Sequence, residues 1–279
     1  MKSIRDIMKN VVTERFVGTE SKVAVLMSGG IDSMTCAFAA EDAGKQVVCY
    51  TFQVGEWESK DSVTSQRYCE KLGWDFHLVK IPPENIERVF LKLADHYRCK
   101  SKVQFECTYP FMYLFDRVEE RNVITGMAAD IHFGNSRKVM VDVIPLKNER
   151  WKAKQIFDAD RLDRVGGGKI PRVTSRMIMI AKENGQNLIV PYIHQDVCDY
   201  FIELDWWEMN QPLHKHATTS AYKHRFMECG YRKHANLQIV SGIDKVFAGL
   251  LDGPLNVKNR KRVLDLCRDY VRGDEQDVE

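Results

Sequence analysis

The chain has 279 residues, 44% of them hydrophobic, enough for one large domain or two small ones around a real core. Its 41 Lys and Arg balance 39 Asp and Glu to a formal +2, so charge alone gives no nucleic-acid footprint and leaves a small anionic ligand open. The eight cysteines are scattered without a Cys-x-x-Cys pair for zinc or redox chemistry, as expected of reduced thiols in a cytoplasmic protein.

The opening residues 1–20 contain MKSIRDIMKNVVTERF, which predicts a short amphipathic helix rather than a signal peptide because charges interrupt every apolar stretch. No window approaches the roughly 18 uninterrupted apolar residues of a membrane span, so no membrane partner is expected. Residues 21–145 predict the core. Strand-like runs at Val23–Met27, Val47–Phe52, Phe76–Ile81 and Asn122–Thr125 alternate with amphipathic segments at Ser33–Ala43, Ser62–Leu72, Ile86–Tyr97 and Tyr109–Glu120. That alternation predicts an α/β fold with a doubly wound parallel sheet, whose ligand lies at the carboxyl ends of the strands. The candidate site is therefore at Met27–Ser33, after Phe52 and after Thr125.

Residues 146–174 mix charges with the run Gly166–Gly168 and predict a boundary or mobile loop. Residues 175–279 predict a mainly helical C-terminal portion, with segments at Ser175–Glu183, Gln195–Leu204, Ala217–Cys229, Leu237–Leu251 and Lys258–Arg272, then a frayed acidic tail.

The stretch VAVLMSGGIDSMT, residues 23–35, carries the clearest chemistry. Glycines leave the backbone uncluttered so that amide N–H groups can converge, and the following helix directs its positive end to the same place. Ser28 and Ser33 add hydroxyls. Asp32 would repel a bare phosphate and makes sense as a ligand of phosphate-bound Mg²⁺. No Gly-Lys-Ser/Thr follows, so this is not a Walker loop; the plain alternative is a Ser-Gly turn capped by Asp.

Ser28-Gly29-Gly30-Ile31-Asp32-Ser33 after an apolar strand resembles the pyrophosphate (PP) loop of the N-type ATP pyrophosphatases. That superfamily includes asparagine synthetase, NAD and GMP synthetases and RNA-thiolating enzymes. The resemblance implies the adenine nucleotide alpha hydrolase-like fold, ATP as cofactor, AMP transfer to a substrate oxygen and release of pyrophosphate. Two further stretches narrow it to the asparagine synthetase type. Val54-Gly55, Ser59-Lys60-Asp61 and a helix closing in Leu72-Gly73 before His77 match one family pattern, and imply Asp61 as a second acid near Mg²⁺; on local grounds Asp61 is equally an exposed N-cap. Ile124-Thr125-Gly126-Met127-Ala128-Ala129-Asp130-Ile131-His132-Phe133-Gly134 is similar to the run Leu-Ser-Gly-Glu-Gly-Ala-Asp-Glu-Leu-Phe-Gly, and implies Asp130 as the acid on the pyrophosphate side.

By the same resemblance Lys215, in Asn210-Gln211-Pro212-Leu213-His214-Lys215, lies against the α-phosphate or the pyrophosphate; the alternative is a solvated Lys among His214, His216 and Lys223. The expected nucleotide-binding residues are thus Ser28, Gly29, Gly30, Ile31, Asp32, Ser33, Phe52, Val54, Gly55 and Gly126, the metal ligands Asp32, Asp61 and Asp130, and the catalytic residues Lys215, Asp130 and His132. Met127 replaces a family Glu and cannot act as a base. His132 is taken to stand at the second Glu, as a proton acceptor or a bystander.

The resemblance spans residues from about 20 to about 250 and covers only the synthetase half. With Met1-Lys2-Ser3 in place of a catalytic Cys, no glutaminase half is expected, and ammonia would come free or from a separate glutaminase. Three functions follow: adenylation of a small carboxylate or amide followed by capture with an amine, activation of a nucleobase in tRNA or DNA, or nucleotide binding without catalysis. Trp206-Trp207 and Phe111/Phe115 are expected in the core, and Arg98, Lys100 and Lys102 on a solvated face or a polyanion groove.

Overall fold

A computed structural model describes residues 2–99, 102–134, 137–165, 168–230 and 237–250. Its centre, among the described residues, is a five-stranded sheet of β1 (Lys22–Leu26), β2 (Gln46–Val54), β3 (Asp75–Ile81), β4 (Asn122–Thr125) and β5 (Asn187–Ile189), in the order β3-β2-β1-β4-β5. Every pairing is parallel, so each connection must cross a face of the sheet. Val23, Val25, Val47, Cys49 and Ile124 turn to one face and Ala24, Leu26, Val48, Tyr50 and Val123 to the other, all buried. This period of two, apolar on both sides, is what a sheet covered on both faces requires.

Helices α1 (Ile4–Arg15), α2 (Ile31–Asp42) and α3 (Lys60–Leu72) bury their apolar stripes in the first cluster. After β3, α4 (Ile86–Leu91) runs into a π-helical turn at Lys92–His96, and α5 (Lys102–Arg117) covers the second face. After β4 come α6 (Ala129–Phe133), α7 (Arg137–Asp142) and α8 (Arg150–Val165), then α9 (Arg172–Glu183) on the second face. After β5 come α10 (Gln195–Ile202), α11 (Trp206–Asn210), α12 (His216–Ala221) and α13 (Lys223–Cys229) on the first, and α14 (Leu237–Ser241) and α15 (Ile243–Leu250) beside α5.

Two features of this packing position the site. The chain leaves β1 towards β2 and β3, then returns to the other flank of β1 for β4 and β5, so connections run apart between β1 and β4 and a crevice opens at their carboxyl ends. Helix α2, which starts in that crevice, is anchored by Phe38, whose ring meets Trp74, Tyr222 and Phe226 at centroid distances of 5.8, 5.5 and 5.2 Å. Burying a side chain of this kind contributes about 1.5–3 kcal/mol.

The predicted strands and the N-terminal helix are present. The span 146–174, expected as a boundary or mobile loop, instead holds the 16-residue α8. Its buried positions Ala153, Phe157, Arg161 and Val165 recur every four residues, and the stripe is masked in the sequence because an Arg occupies one of them. Arg161 directs its two terminal guanidinium nitrogens to Asp158 and, at 2.5 Å, to the Phe201 carbonyl. Strand β5 is absent from the expectations; it is three residues long, and Pro191 ends it. Helix α5 starts seven residues before the expected Tyr109 and carries Pro110 inside it. The segment Ala217–Cys229 breaks at Tyr222, and Leu237–Leu251 breaks at Gly242, which has φ 73°. Trp207, Phe111 and Phe115 are buried as core, with Trp206 half-buried edge-on to Trp207. The helical segment Lys258–Arg272, the acidic tail, Leu251, Lys100 and most of the run Gly166–Gly168 lie outside the described residues.

Candidate nucleotide site

At the end of β1 the Met27 N–H donates to the Tyr50 carbonyl at 2.8 Å, and the Met27 carbonyl accepts from the hydroxyls of Thr51 and, at 3.3 Å, Ser65. The chain then turns through Gly29 at φ 68°. A Cβ there would stand 2.8 Å from Thr64 Cγ2, so both conformation and space require glycine. The Gly30 N–H donates to Ser28 Oγ at 3.3 Å, and Ser33 Oγ donates to the Gly30 carbonyl at 3.1 Å and accepts from the Ser28 N–H at 3.3 Å. The buried Ser33 hydroxyl is thus committed to shaping the loop rather than to a ligand. Gly30 caps α2 without any side-chain hydrogen bond, so the first-turn amides of a 12-residue helix are left to whatever enters the crevice.

The facing wall comes from the β4–α6 junction. A Cβ on Gly126 would lie 2.7 Å from both Asp32 C and Ser33 N, so glycine is what lets this junction press against the first turn of α2. Ala128 follows in the left-handed region at φ 71°, and its turn starts α6 with Asp130 in the first turn. The Asp130 side chain is 66% exposed.

Lys215 joins the two walls. Its ammonium donates to Asp32 on α2 and, at 2.7 Å, to Asp130 Oδ1 on α6, while the side chain is only 3% exposed and passes 5.1 Å from the Phe133 ring centroid. Burial works to lower its pKa, but the charges and hydrogen bonds of the two carboxylates outweigh that and hold it above its ordinary value. Lys215 sits in the left-handed region at φ 53° as the N-cap of α12, a conformation held for a non-glycine residue by its surroundings.

The remaining expected site residues divide. Gly55 turns at φ 56° at the end of β2, Phe52 is half-buried beside it with its ring edge-on to Phe111, and the Val54 side chain is spent on the core. Asp61 is neither an exposed residue nor the cap of α3: Ser59 caps that helix, accepting from the Ser62 N–H at 3.0 Å, and Asp61 is buried one turn before Thr64 and Ser65, which meet the Gly29 loop. Among the described residues no group of three or more His, Cys, Asp or Glu side chains is arranged to hold a metal ion, so Asp61 does not converge with Asp32 and Asp130 as a third ligand. The residues present still suit a nucleotide that brings its own divalent cation, with Asp130 and Asp32 at the mouth and glycine-lined amides behind.

His132 is corrected outright. Aligned on Gly126, Asp130, Phe133 and Gly134, the run puts Ile131 at the second Glu and His132 at a Leu, and the structure treats it accordingly. It is 1% exposed, stacked on Phe201 at 4.8 Å, and its Nε2 donates to the Tyr192 carbonyl at 2.6 Å. Desolvation pulls its pKa down to about 4, against the pull of that hydrogen bond. A neutral imidazole locked in the core is not a proton acceptor for the site. Thr51, Thr64 and Ser65, which hold the loop from outside, carry no signal in the sequence beyond hydroxyls near strand and helix ends.

The sequence matches the family model described as Asparagine synthase over residues 3–142, half of the chain. The chain belongs to the asparagine synthase family. Its sheet and loop are those of the adenine nucleotide alpha hydrolase-like fold that goes with the family, and membership supports an ATP-using enzyme of the PP-loop type. The amidase chyE of Penicillium rubens is 28% identical over 159 residues, 50% of this chain and 23% of that protein. The tRNA-specific 2-thiouridylase MnmA of Proteus mirabilis is 31% identical over 108 residues, 32% of this chain and 29% of that protein. The chain therefore spans less than a third of either relative's length. Among solved structures, a predicted subunit of tRNA methyltransferase from Methanocaldococcus jannaschii gives a TM-score of 0.37 at 13% identity, covering 77% of this chain and 94% of that one.

Proposed function

We propose that this asparagine synthase family chain binds Mg²⁺-ATP with its pyrophosphate on the amides at the start of α2, transfers AMP to an oxygen of a small carboxylate or amide, and passes the activated group to an amine or ammonia. The observation that supports this most is Lys215, buried between Asp32 and Asp130 at the mouth of a helix whose first turn no side chain caps. Amide donors and a helix N-terminus stabilise phosphate charge. A buried ammonium beside them stabilises the charge that grows on pyrophosphate as its bond to the α-phosphorus breaks. Asp130 and Asp32 would hold the magnesium, which neutralises phosphate charge when bound. The substrate oxygen attacks the α-phosphorus, pyrophosphate leaves, and the amine then displaces AMP from the activated carbon. Met127 supplies no base and His132 faces the core, so neither takes the proton of the incoming amine. Ammonia, free or delivered by a separate glutaminase, is one such nucleophile.

One observation favours a second acceptor class. The thiouridylase relative acts, by its name, on tRNA, so a nucleobase oxygen is the competing substrate. Thiolation draws no support from the described cysteines. Cys36, Cys49, Cys69, Cys99, Cys107 and Cys229 are buried, with Cys198 half-buried.

Pyrophosphate release from ATP, measured with panels of small carboxylates plus ammonia or amines and separately with tRNA, tests the proposal. Release with a carboxylate and AMP as co-product is the expected result. Release only with tRNA replaces the acceptor, and ATP binding with no release under any panel would leave a nucleotide-binding protein.

A further inference from the structure

Lys215 occupies the position between two carboxylates that a divalent cation would take. Its partners come from separate walls, Asp32 from α2 and Asp130 from α6, at sequence separations of 183 and 85 residues, and its side chain is 3% exposed. A metal arriving alone would push the ammonium, whose side chain is 3% exposed, off both carboxylates with no anion to receive it, which is strongly unfavourable for a buried charge. Only a ligand that brings a cation to the carboxylates and an anion to the ammonium offers both a new partner at once.

We infer that Lys215 is an exchangeable stand-in for the metal: it keeps Asp32 and Asp130 together, excludes free divalent cations, and yields the carboxylates only to a metal–nucleotide complex while its ammonium moves to a phosphate oxygen. The exchange makes binding ordered, with the metal entering as part of the nucleotide. No covalent bond changes, and each charge keeps an opposite partner before and after. The inference rests on the ATP reading but adds to it, because a site that binds ATP need not refuse the metal alone.

The test uses Mn²⁺ as a paramagnetic probe on the full chain, with binding read by electron spin resonance of the free ion. Wild type is expected to take up Mn²⁺ alone weakly and Mn²⁺-ATP at least about tenfold more tightly, a difference of about 1.4 kcal/mol. Lys215→Ala is expected to bind Mn²⁺ alone about tenfold more tightly than wild type does and to lose affinity for Mn²⁺-ATP; Lys215→Met, which keeps the apolar stem beside Phe133, is expected to behave alike. Wild type binding Mn²⁺ alone as tightly as Mn²⁺-ATP would overturn the exchange while leaving ATP binding intact, and needs no variant to fold. Folded Lys215 variants with no gain in Mn²⁺ affinity would also overturn it. Wild type that binds neither ATP nor Mn²⁺-ATP would overturn the ATP reading itself.

Discussion

The two regions that meet in the crevice are built in opposite ways. The loop between β1 and α2 is shaped by bonds inside residues 28–33, with Thr51, Thr64 and Ser65 as outside supports. The Lys215 segment has no such local logic: its ammonium is held by Asp32 and Asp130, far away in sequence. A phosphate cradle can be encoded in a handful of adjacent residues because backbone amides supply it. Control of charge in this crevice is imported instead, by a Lys that lies 183 residues from Asp32 in sequence. The local region should therefore respond to changes in backbone space, and the imported one to changes in charge.

The largest expected effect tests the meeting point of the two regions. Gly126→Val puts side-chain atoms where a Cβ alone would already lie 2.7 Å from the backbone of Asp32 and Ser33. It should lower pyrophosphate-forming turnover by about 100-fold or more, as displacements near 1 Å can, with a loss of about 1–3 kcal/mol in denaturant midpoints from overpacking. Lys215→Met tests the imported charge: a fall in kcat of about 100-fold, in the range found for single groups that stabilise transition-state charge, with the fold retained by circular dichroism. A variant with unchanged kcat would reduce Lys215 to a structural tie.

Gly29→Ala probes the local region alone. Placing a side chain at φ 68°, against Thr64, should cost about 1–2 kcal/mol and weaken nucleotide binding, and Gly29→Ala combined with Thr64→Ser should recover part of the binding. Recovery would show that space at Thr64, and not only backbone strain, fixes the loop.

The smallest effect sharpens the contrast by removing a residue from the site. The folded pKa of His132 is about 4, below its ordinary 6.5, so the unfolded chain binds more protons between these values and stability rises with pH across that window. The contribution is fully present above pH 6.5 and is lost as pH falls towards 4, by about 3 kcal/mol in all. His132→Leu should flatten this part of a melting-temperature profile measured from pH 4 to 7 and leave the pH dependence of turnover above pH 6.5 unchanged. A shift in that activity profile would return His132 to the chemistry.

How much of this was legible follows from the same contrast. Gly29 and Gly126 could be read because only glycine serves where the backbone must pass at positive φ or within 3 Å of a neighbour. Strands β1, β2 and β4 could be read because each carries buried apolar residues on both faces, and the more exposed β3 because Phe76, Leu78, Val79 and Ile81 still make an apolar run. Helix α8 could not, because the buried Arg161 breaks its stripe and finds its partners on α8 itself and in residues beyond 200. The fates of Asp130 and His132, two residues apart on one short helix, could not be told apart either: one points out to Lys215 and the other into Phe201. Asp61 was legible as an acid near the loop but not as one kept from the cluster, since that depends on where Ser59 starts α3.

The most direct measurement is a crystal structure of the chain with magnesium and a non-hydrolysable ATP analogue. The expected complex has the β-phosphate on the amides at the start of α2, the metal on Asp32 and Asp130, and the Lys215 ammonium moved onto a phosphate oxygen. An analogue bound away from residues 28–33, or seated there with Lys215 still bridging the two carboxylates and no metal between them, would contradict it.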